Sequence, residues 1–186
     1  MTRASDRSSN IGMVAQLLQF FPLSCFLFAA FRHGNPQPED WLIAFMVGGA
    51  VAVLQVILAT MISRGRPLNR LLLGVNAYLA IGGLSALTNQ LWILQMLDTL
   101  RESGLFLCIL AVGVLTTLGS KAGFVGQEDG RGESRTKHYS FALLALAIIA
   151  TTPSFFIKGQ LIFSAVIPMT LLTIVNRWFV SRIQRS

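Results

Sequence analysis

The chain has 186 residues, of which 53% are hydrophobic and only 12% are charged, about half of the charged share usual in soluble domains. Its mean hydropathy is +0.62. A soluble fold of this composition would expose far more apolar area than soluble monomers tolerate. Composition therefore excludes an ordinary soluble domain, and it also excludes collagen-like, low-complexity and disulfide-rich secreted chains. The length allows one domain.

Six long stretches contain no Asp, Glu, Lys, Arg or His, and all charged side chains lie outside them. A helix needs about 20 apolar residues to cross a hydrocarbon core of about 30 Å, and in lipid its backbone groups must be hydrogen-bonded internally. The sequence therefore predicts an all-α, polytopic membrane bundle in a single domain. Its six transmembrane helices are predicted at about 13–31, 41–62, 71–94, 103–120, 140–157 and 160–176.

The connections between these stretches differ strongly in basic charge. Alternate segments, starting with the N-terminal one, hold 12 of the 15 Lys and Arg residues. Because Lys and Arg mark cytoplasmic connections, we predict a multi-pass protein of the bacterial inner membrane with its N-terminus and C-terminus in the cytoplasm. The residues that determine this orientation include Arg64, Arg66, Arg70, Lys121, Arg177, Arg182 and Arg185.

The net charge of +7 follows from the same distribution. Basic residues at the inner face attract anionic lipid headgroups, so the lipid bilayer is the predicted partner. Nucleic acid is not a predicted partner, because no basic patch is interleaved with aromatic side chains. The glycine-rich connection 121–139 is typical of a flexible cytoplasmic loop.

Small side chains form a stripe along the second predicted helix and recur in the third. Small residues let membrane helices approach closely, so these positions predict a packing face within the bundle, or one toward a membrane-protein partner or a second copy of the chain. The two amides among them are predicted either to hydrogen-bond between helices or to line a path for a substrate. The predicted helix-packing residues are Ala44, Gly48, Ala52, Gln55, Ala59, Asn76, Ala80 and Gly83.

Prolines lie within three of the predicted helices, at Pro22, Pro153 and Pro168. Each removes a backbone donor, so we expect these helices to bend there. Residues 91–102, at the end of the third stretch, are predicted as a short amphipathic turn on the outer leaflet.

No pattern in the sequence predicts catalysis, a cofactor or a bound metal. A Gly-Lys-Ser/Thr phosphate loop and a His-Glu-x-x-His motif are absent, and His33 and His138 fall on opposite sides of the predicted membrane. Cys25 and Cys108 lie in apolar stretches, which favours buried thiols over a disulfide framework. The acids on the predicted outer side are interpreted as solvated loop charges; they are Glu39, Asp40, Asp98 and Glu102.

The segment Gln19-Phe20-Phe21-Pro22-Leu23, with the phenylalanines and the apolar helix that follow it, resembles the opening of the inner-membrane septation protein A family of Gram-negative bacteria. Gly82-Gly83-Leu84 is similar to part of that family's third helix. The resemblance covers the first two-thirds of the chain, and the glycine-rich cytoplasmic connection departs from it. It implies a multi-pass inner-membrane protein that serves cell-envelope maintenance or division through protein contacts, with no catalytic residues to carry over.

These observations predict a non-catalytic scaffold or envelope-associated factor that acts through helix–helix contacts. The alternative is a transporter of small solutes or lipids, with a polar path near Gln55 and Asn76. An uncharacterised family of bacterial membrane proteins fits the sequence equally well.

Overall fold

The computed structural model describes residues 20–34, 37–63, 69–100, 102–126, 133–156, 160 and 162–185. Within these ranges every regular element is a helix, and no strand occurs. In chain order they are α1 (Phe21–Ala30), α2 (Pro38–Ser63), α3 (Arg70–Leu87), α4 (Leu91–Leu100), α5 (Glu102–Gly119), α6 (Glu133–Phe156), a π-helical turn (Ile162–Val166) and α7 (Ile167–Arg185).

Five of these helical segments are long and apolar enough to cross a membrane. They are Glu39–Met61, Arg70–Leu87, Glu102–Gly119, Thr136–Phe156 and Ile162–Ile183. The all-helical prediction is therefore confirmed for the described part of the chain, and its five candidate spans support a multi-pass membrane protein. Six crossings and the cytoplasmic position of both termini stay predictions.

The first predicted helix, 13–31, differs from the structure. Phe20 lies in a turn before the ten-residue helix α1, and residues 13–19 lie outside the described ranges. Pro22 stands in the first turn of α1, where its missing N–H is not needed by the helix. At 1.5 Å per residue α1 is about 15 Å long, half of a hydrocarbon core.

The third predicted helix ends seven residues early, because a helix-terminating motif follows Leu87. Asn89 has a φ of 56°, and the backbone N–H of Gln90 donates to the carbonyl of Ser85 at 2.8 Å. This arrangement is a Schellman motif, which closes the helix with one left-handed residue. The chain then forms the separate ten-residue helix α4, so the short amphipathic element predicted after the third span is a helix of its own.

The connection predicted at 121–139 is shorter than expected, since α6 already begins at Glu133. Residues 121–126 form turns, and Phe124 and Val125 are buried in the core. The N–H of Val125 donates to Ser140 Oγ on α6 at 3.4 Å. The predicted boundary at residue 139 is therefore wrong, because hydropathy alone does not separate a polar helical turn from a loop.

Successive long helices pack against one another, with α2 against α1 and α3, α5 against α3 and α6, and α6 against α7. Pro168, where a bend is expected, is the second residue of α7 and directly follows the junction with the π-helical turn. Proline cannot donate to the carbonyl four residues earlier, which is that of Ser164. The hydroxyl of Ser154 on α6 donates to that carbonyl and so joins α6 to α7 at the proline.

Candidate functional site

A pair of amides connects α2 and α3 inside the membrane-spanning part of the bundle. Asn76 Nδ2 donates to Gln55 Oε1 at 2.8 Å, so the predicted interhelical hydrogen bond is present. Asn76 lies six residues after Arg70, and Gln55 lies six residues before Met61. At 1.5 Å per residue the pair is about 9 Å from the ends of these two spans, within hydrocarbon depth.

The second polar atom of Asn76 is left without a hydrogen bond. Asn76 is only 3% exposed, and its Oδ1 has no partner among the described residues. A buried acceptor that stays unpaired costs about 1–3 kcal/mol. The pair therefore has two consequences: it fixes the register of α2 against α3, and it offers one acceptor to a water or to a small donor that reaches the seam.

The other residues of the predicted stripe lie mostly in helix contacts. Ala44 and Ala52 are fully buried, and Gly48 is buried against α1. A Cβ atom added at Gly48 would lie 2.8 Å from Phe26 Cβ. Ala59 and Ala80 are half-buried. The stripe thus serves two neighbours, because its glycine contacts α1 whereas its amide contacts α3.

Helices α2 and α3 approach each other closely at Gly49 and Gly83. A Cβ atom added at Gly49 would lie 2.7 Å from the carbonyl oxygen of Leu79 and 2.8 Å from Gly83 Cα. One added at Gly83 would lie 2.7 Å from the carbonyl oxygen of Phe45 and 2.9 Å from Gly49 Cα. Backbone therefore touches backbone at this crossing. Gly83 is one of the predicted packing residues, whereas Gly49 is not, although the adjacent glycines at positions 48 and 49 were a signal for it.

Two further glycines receive side chains from neighbouring helices. The ring of Phe45 occupies the space beside Gly82, where an added Cβ would lie 2.1 Å from Phe45 Cδ1. At Gly74 an added Cβ would lie 2.6 Å from Ile109 Cα on α5. Neither contact was predicted, because each depends on which helices become neighbours.

A polar cluster closes the hairpin between α1 and α2. Arg32 Nε donates to Asp40 Oδ1 at 3.3 Å, His33 Nδ1 lies 3.1 Å from the same oxygen, and the N–H of Gln37 donates to Asp40 Oδ2 at 3.1 Å. Asp40 stands in the first turn of α2, where a carboxylate favours helix formation and satisfies a free backbone donor. The cluster is thus a capped helix start that also holds the end of α1.

The interpretation of the outer acids as solvated charges is wrong for Asp40, which is 3% exposed. It is buried because the chain returns over it after α1 and supplies three hydrogen-bonding partners. Glu102, at the first position of α5, is half-buried, and its Oε2 has no partner among the described residues. Glu39 and Asp98 are exposed as expected.

The other site predictions concern basic residues, cysteines and metals. Arg70 Nη2 lies 3.5 Å from Ser120 Oγ, while Lys121, Arg177 and Arg182 are exposed. Arg64, Arg66 and the side chain of Arg185 lie outside the described part. Cys25 and Cys108 are free and half-buried. No group of three or more His, Cys, Asp or Glu side chains that could hold a metal ion occurs in the described ranges.

Comparisons with protein-family models, curated proteins and solved structures find no match to this chain. The resemblance to the septation protein A family therefore stays a prediction.

Proposed function

We propose that this chain is a non-catalytic integral protein of the bacterial inner membrane that acts through helix–helix contacts, as a scaffold or a cell-envelope and septation-associated factor. We further propose six crossings with both termini in the cytoplasm, which the unequal distribution of Lys and Arg supports. The observation that carries the functional proposal is the backbone contact between α2 and α3 at Gly49 and Gly83.

Such close contact supports a role in helix–helix association, because the middle of the bundle is then occupied by packed backbone and not by a reactive polar site. Pumps and intramembrane enzymes generally need a buried acid, base or histidine. The six predicted stretches contain no Asp, Glu, Lys, Arg or His. At the same time the described helices expose large apolar side chains, among them Phe28, Leu115 and Phe156. These faces bind lipid or the helices of a partner.

Quantitative copurification of the full chain from membranes tests this proposal. Gly48→Leu forces α1 away from α2, because the added side chain would overlap with Phe26. We expect stable membrane-protein neighbours to be lost in this variant and in Ala52→Leu, which enlarges a fully buried position. They should be retained in Ala50→Leu, since Ala50 is exposed on the same helix. Unchanged neighbours in all three variants would contradict the proposal.

The transport of a small solute or lipid is a second proposal, favoured by one observation. Asn76 Oδ1 is a buried acceptor without a partner in the described bundle, and such polar groups inside a membrane often mark a substrate path. Reconstituted vesicles test it. Solute flux that Asn76→Leu abolishes and that Gln95→Leu retains would favour transport, because Gln95 is an exposed amide on α4. A lack of flux in the unmodified chain would favour the scaffold.

A further inference from the structure

Helix α4 is too short to cross the membrane and lies between two helices that do. Its ten residues, Leu91–Leu100, measure about 15 Å. It starts four residues after α3 ends and finishes two residues before α5 begins. Leu97 is 3% exposed in the core, and Ile93 and Leu94 are partly buried and pack against it. One face of α4 is therefore fixed to the bundle.

The rest of α4 has two different surfaces. Trp92 and Met96, one turn apart, are 63% and 46% exposed. Successive helical residues are 100° apart, which places these two beside the buried face. Asp98 is also exposed, and it lies about 120° around the helix from Trp92 and about 160° from Met96, on the opposite flank. The helix thus has an apolar flank that the protein itself leaves uncovered.

We propose that α4 lies in the plane of the membrane and that its Trp92–Met96 flank binds the boundary between acyl chains and headgroups in the leaflet where α3 ends. Amphipathic helices bury their apolar side about 5–10 Å into that boundary, and tryptophan concentrates there. The indole N–H of Trp92 donates to Gln90 Oε1 at 2.9 Å, so this donor stays satisfied where water is scarce.

The charge near this flank and its continuity with the apolar surface of α3 indicate that lipid acyl chains bind it. The segment from Asp98 to Glu102 carries two acids and one base, Arg101, so its net charge is negative and does not attract anionic headgroups. Binding therefore depends on apolar contact with the lipid and not on its charge. The last turn of α3 continues this exposed apolar surface, through Leu84 and Leu87. This inference rests on the proposal that the long helices cross the bilayer.

Tryptophan quenching in vesicles tests the inference with the full chain. Trp41→Phe and Trp178→Phe leave Trp92 as the one tryptophan, since the chain contains three. The protein is reconstituted in phosphatidylcholine that carries bromine either near the glycerol or near the chain ends. We expect shallow bromine to remove more of the Trp92 emission than deep bromine does. Adding phosphatidylglycerol should not change the quenching.

Two further variants serve as controls. With Trp92→Phe in the same background, Asp98→Trp places the probe on the opposite flank of α4, where bromine should leave its emission nearly unchanged. Leu54→Trp instead places it on an exposed position in the middle of α2, where deep bromine should quench most. This control reports whether the long helices have inserted.

The outcomes separate the two proposals. If Leu54→Trp is quenched but Trp92 is not, α4 does not bind lipid and the inference is overturned while the spanning helices stand. Equal quenching of Trp92 and Asp98→Trp would also overturn it, because the helix would then be immersed on every side. A requirement for phosphatidylglycerol would overturn the apolar basis of binding. If Leu54→Trp is not quenched either, the spanning proposal fails first.

Discussion

Replacing Gly49 by alanine should separate α2 from α3 by a distance that the structure defines. The added Cβ would lie 2.7 Å from the carbonyl oxygen of Leu79, whereas ordinary van der Waals contact begins at 3.4 Å. The helix pair has to open by about 0.7 Å at this point, because both neighbouring atoms belong to backbone. A gap of this size removes a quarter to a half of the attraction between the atoms that it separates.

The expected net cost follows from two opposing effects. Overfilling a packed seam costs about 1–3 kcal/mol, and alanine recovers up to about 1 kcal/mol of helix propensity relative to glycine. Because the added methyl group meets backbone atoms, which cannot rotate away, the upper end of that cost applies, and we expect Gly49→Ala to lower the free energy of unfolding by about 2 kcal/mol. Gly119→Ala is the matched control, since nothing lies within 4 Å of its added Cβ at the end of α5. It should be neutral or slightly stabilising.

Reversible unfolding in mixed micelles of detergent and dodecyl sulfate, followed by far-ultraviolet circular dichroism, measures both variants. A second variant, Gly83→Ala, meets the same crossing from the other helix. Once one methyl group has opened the seam, the other has more room, so the double variant should cost less than the sum of the two. If Gly49→Ala matches Gly119→Ala, or if the two costs at the crossing add fully, the crossing is not closed by backbone contact.

Two further predictions concern the polar contacts at helix ends, each read as unfolding in the same micelles. Asp40→Asn removes the charge that Arg32 contacts and should destabilise the protein more than Glu39→Gln, an exposed control; equal effects would mean that the cluster does not hold the hairpin. Ser154→Ala leaves the Ser164 carbonyl without its hydroxyl donor and should cost about 0.5–2 kcal/mol. In the Pro168→Ala background, which restores a backbone N–H, that cost should shrink. An undiminished cost would disprove the compensation.

The positions of the long helices could be predicted because lipid imposes a simple requirement. A crossing helix must be apolar over its whole length, and five of the six uncharged stretches correspond to candidate spans. The hydrogen bond between Gln55 and Asn76 could be expected as well, since two amides on small-residue faces of successive helices have few other partners. Both predictions depend on composition and spacing alone.

Local breaks inside an apolar stretch could not be predicted from the absence of charge. The end of α3 depends on the left-handed conformation of Asn89, and the start of α1 is compatible with Pro22 in its first turn. Asparagine and proline are recognised signals for helix ends, but membrane helices also contain them in their interiors. The absence of charge alone therefore indicated neither the end of α3 nor the start of α1.

Tertiary contacts account for the remaining differences. Gly49 is a close-packing position because Gly83 lies opposite to it. The register of two packed helices cannot be predicted from the sequence of either helix alone. Asp40 is buried because the chain that follows α1 brings Arg32 and His33 within hydrogen-bonding distance of its carboxylate. The position of Asp40, three residues after Gln37 and two after Pro38, did indicate the start of a helix. Its burial could not be predicted, because it depends on contacts with residues that follow α1.

Cysteine labelling of whole cells tests the proposed topology most directly. In a chain whose Cys25 and Cys108 are replaced by alanine, single cysteines are placed by Ser8→Cys, Ser186→Cys or Asp98→Cys and treated with a membrane-impermeant maleimide. We predict that Asp98→Cys reacts in cells with an opened outer membrane and an intact inner membrane, and that the two terminal positions react only after the inner membrane is broken. Labelling of either terminal cysteine before lysis, or protection of Asp98→Cys, would contradict six crossings with both ends in the cytoplasm.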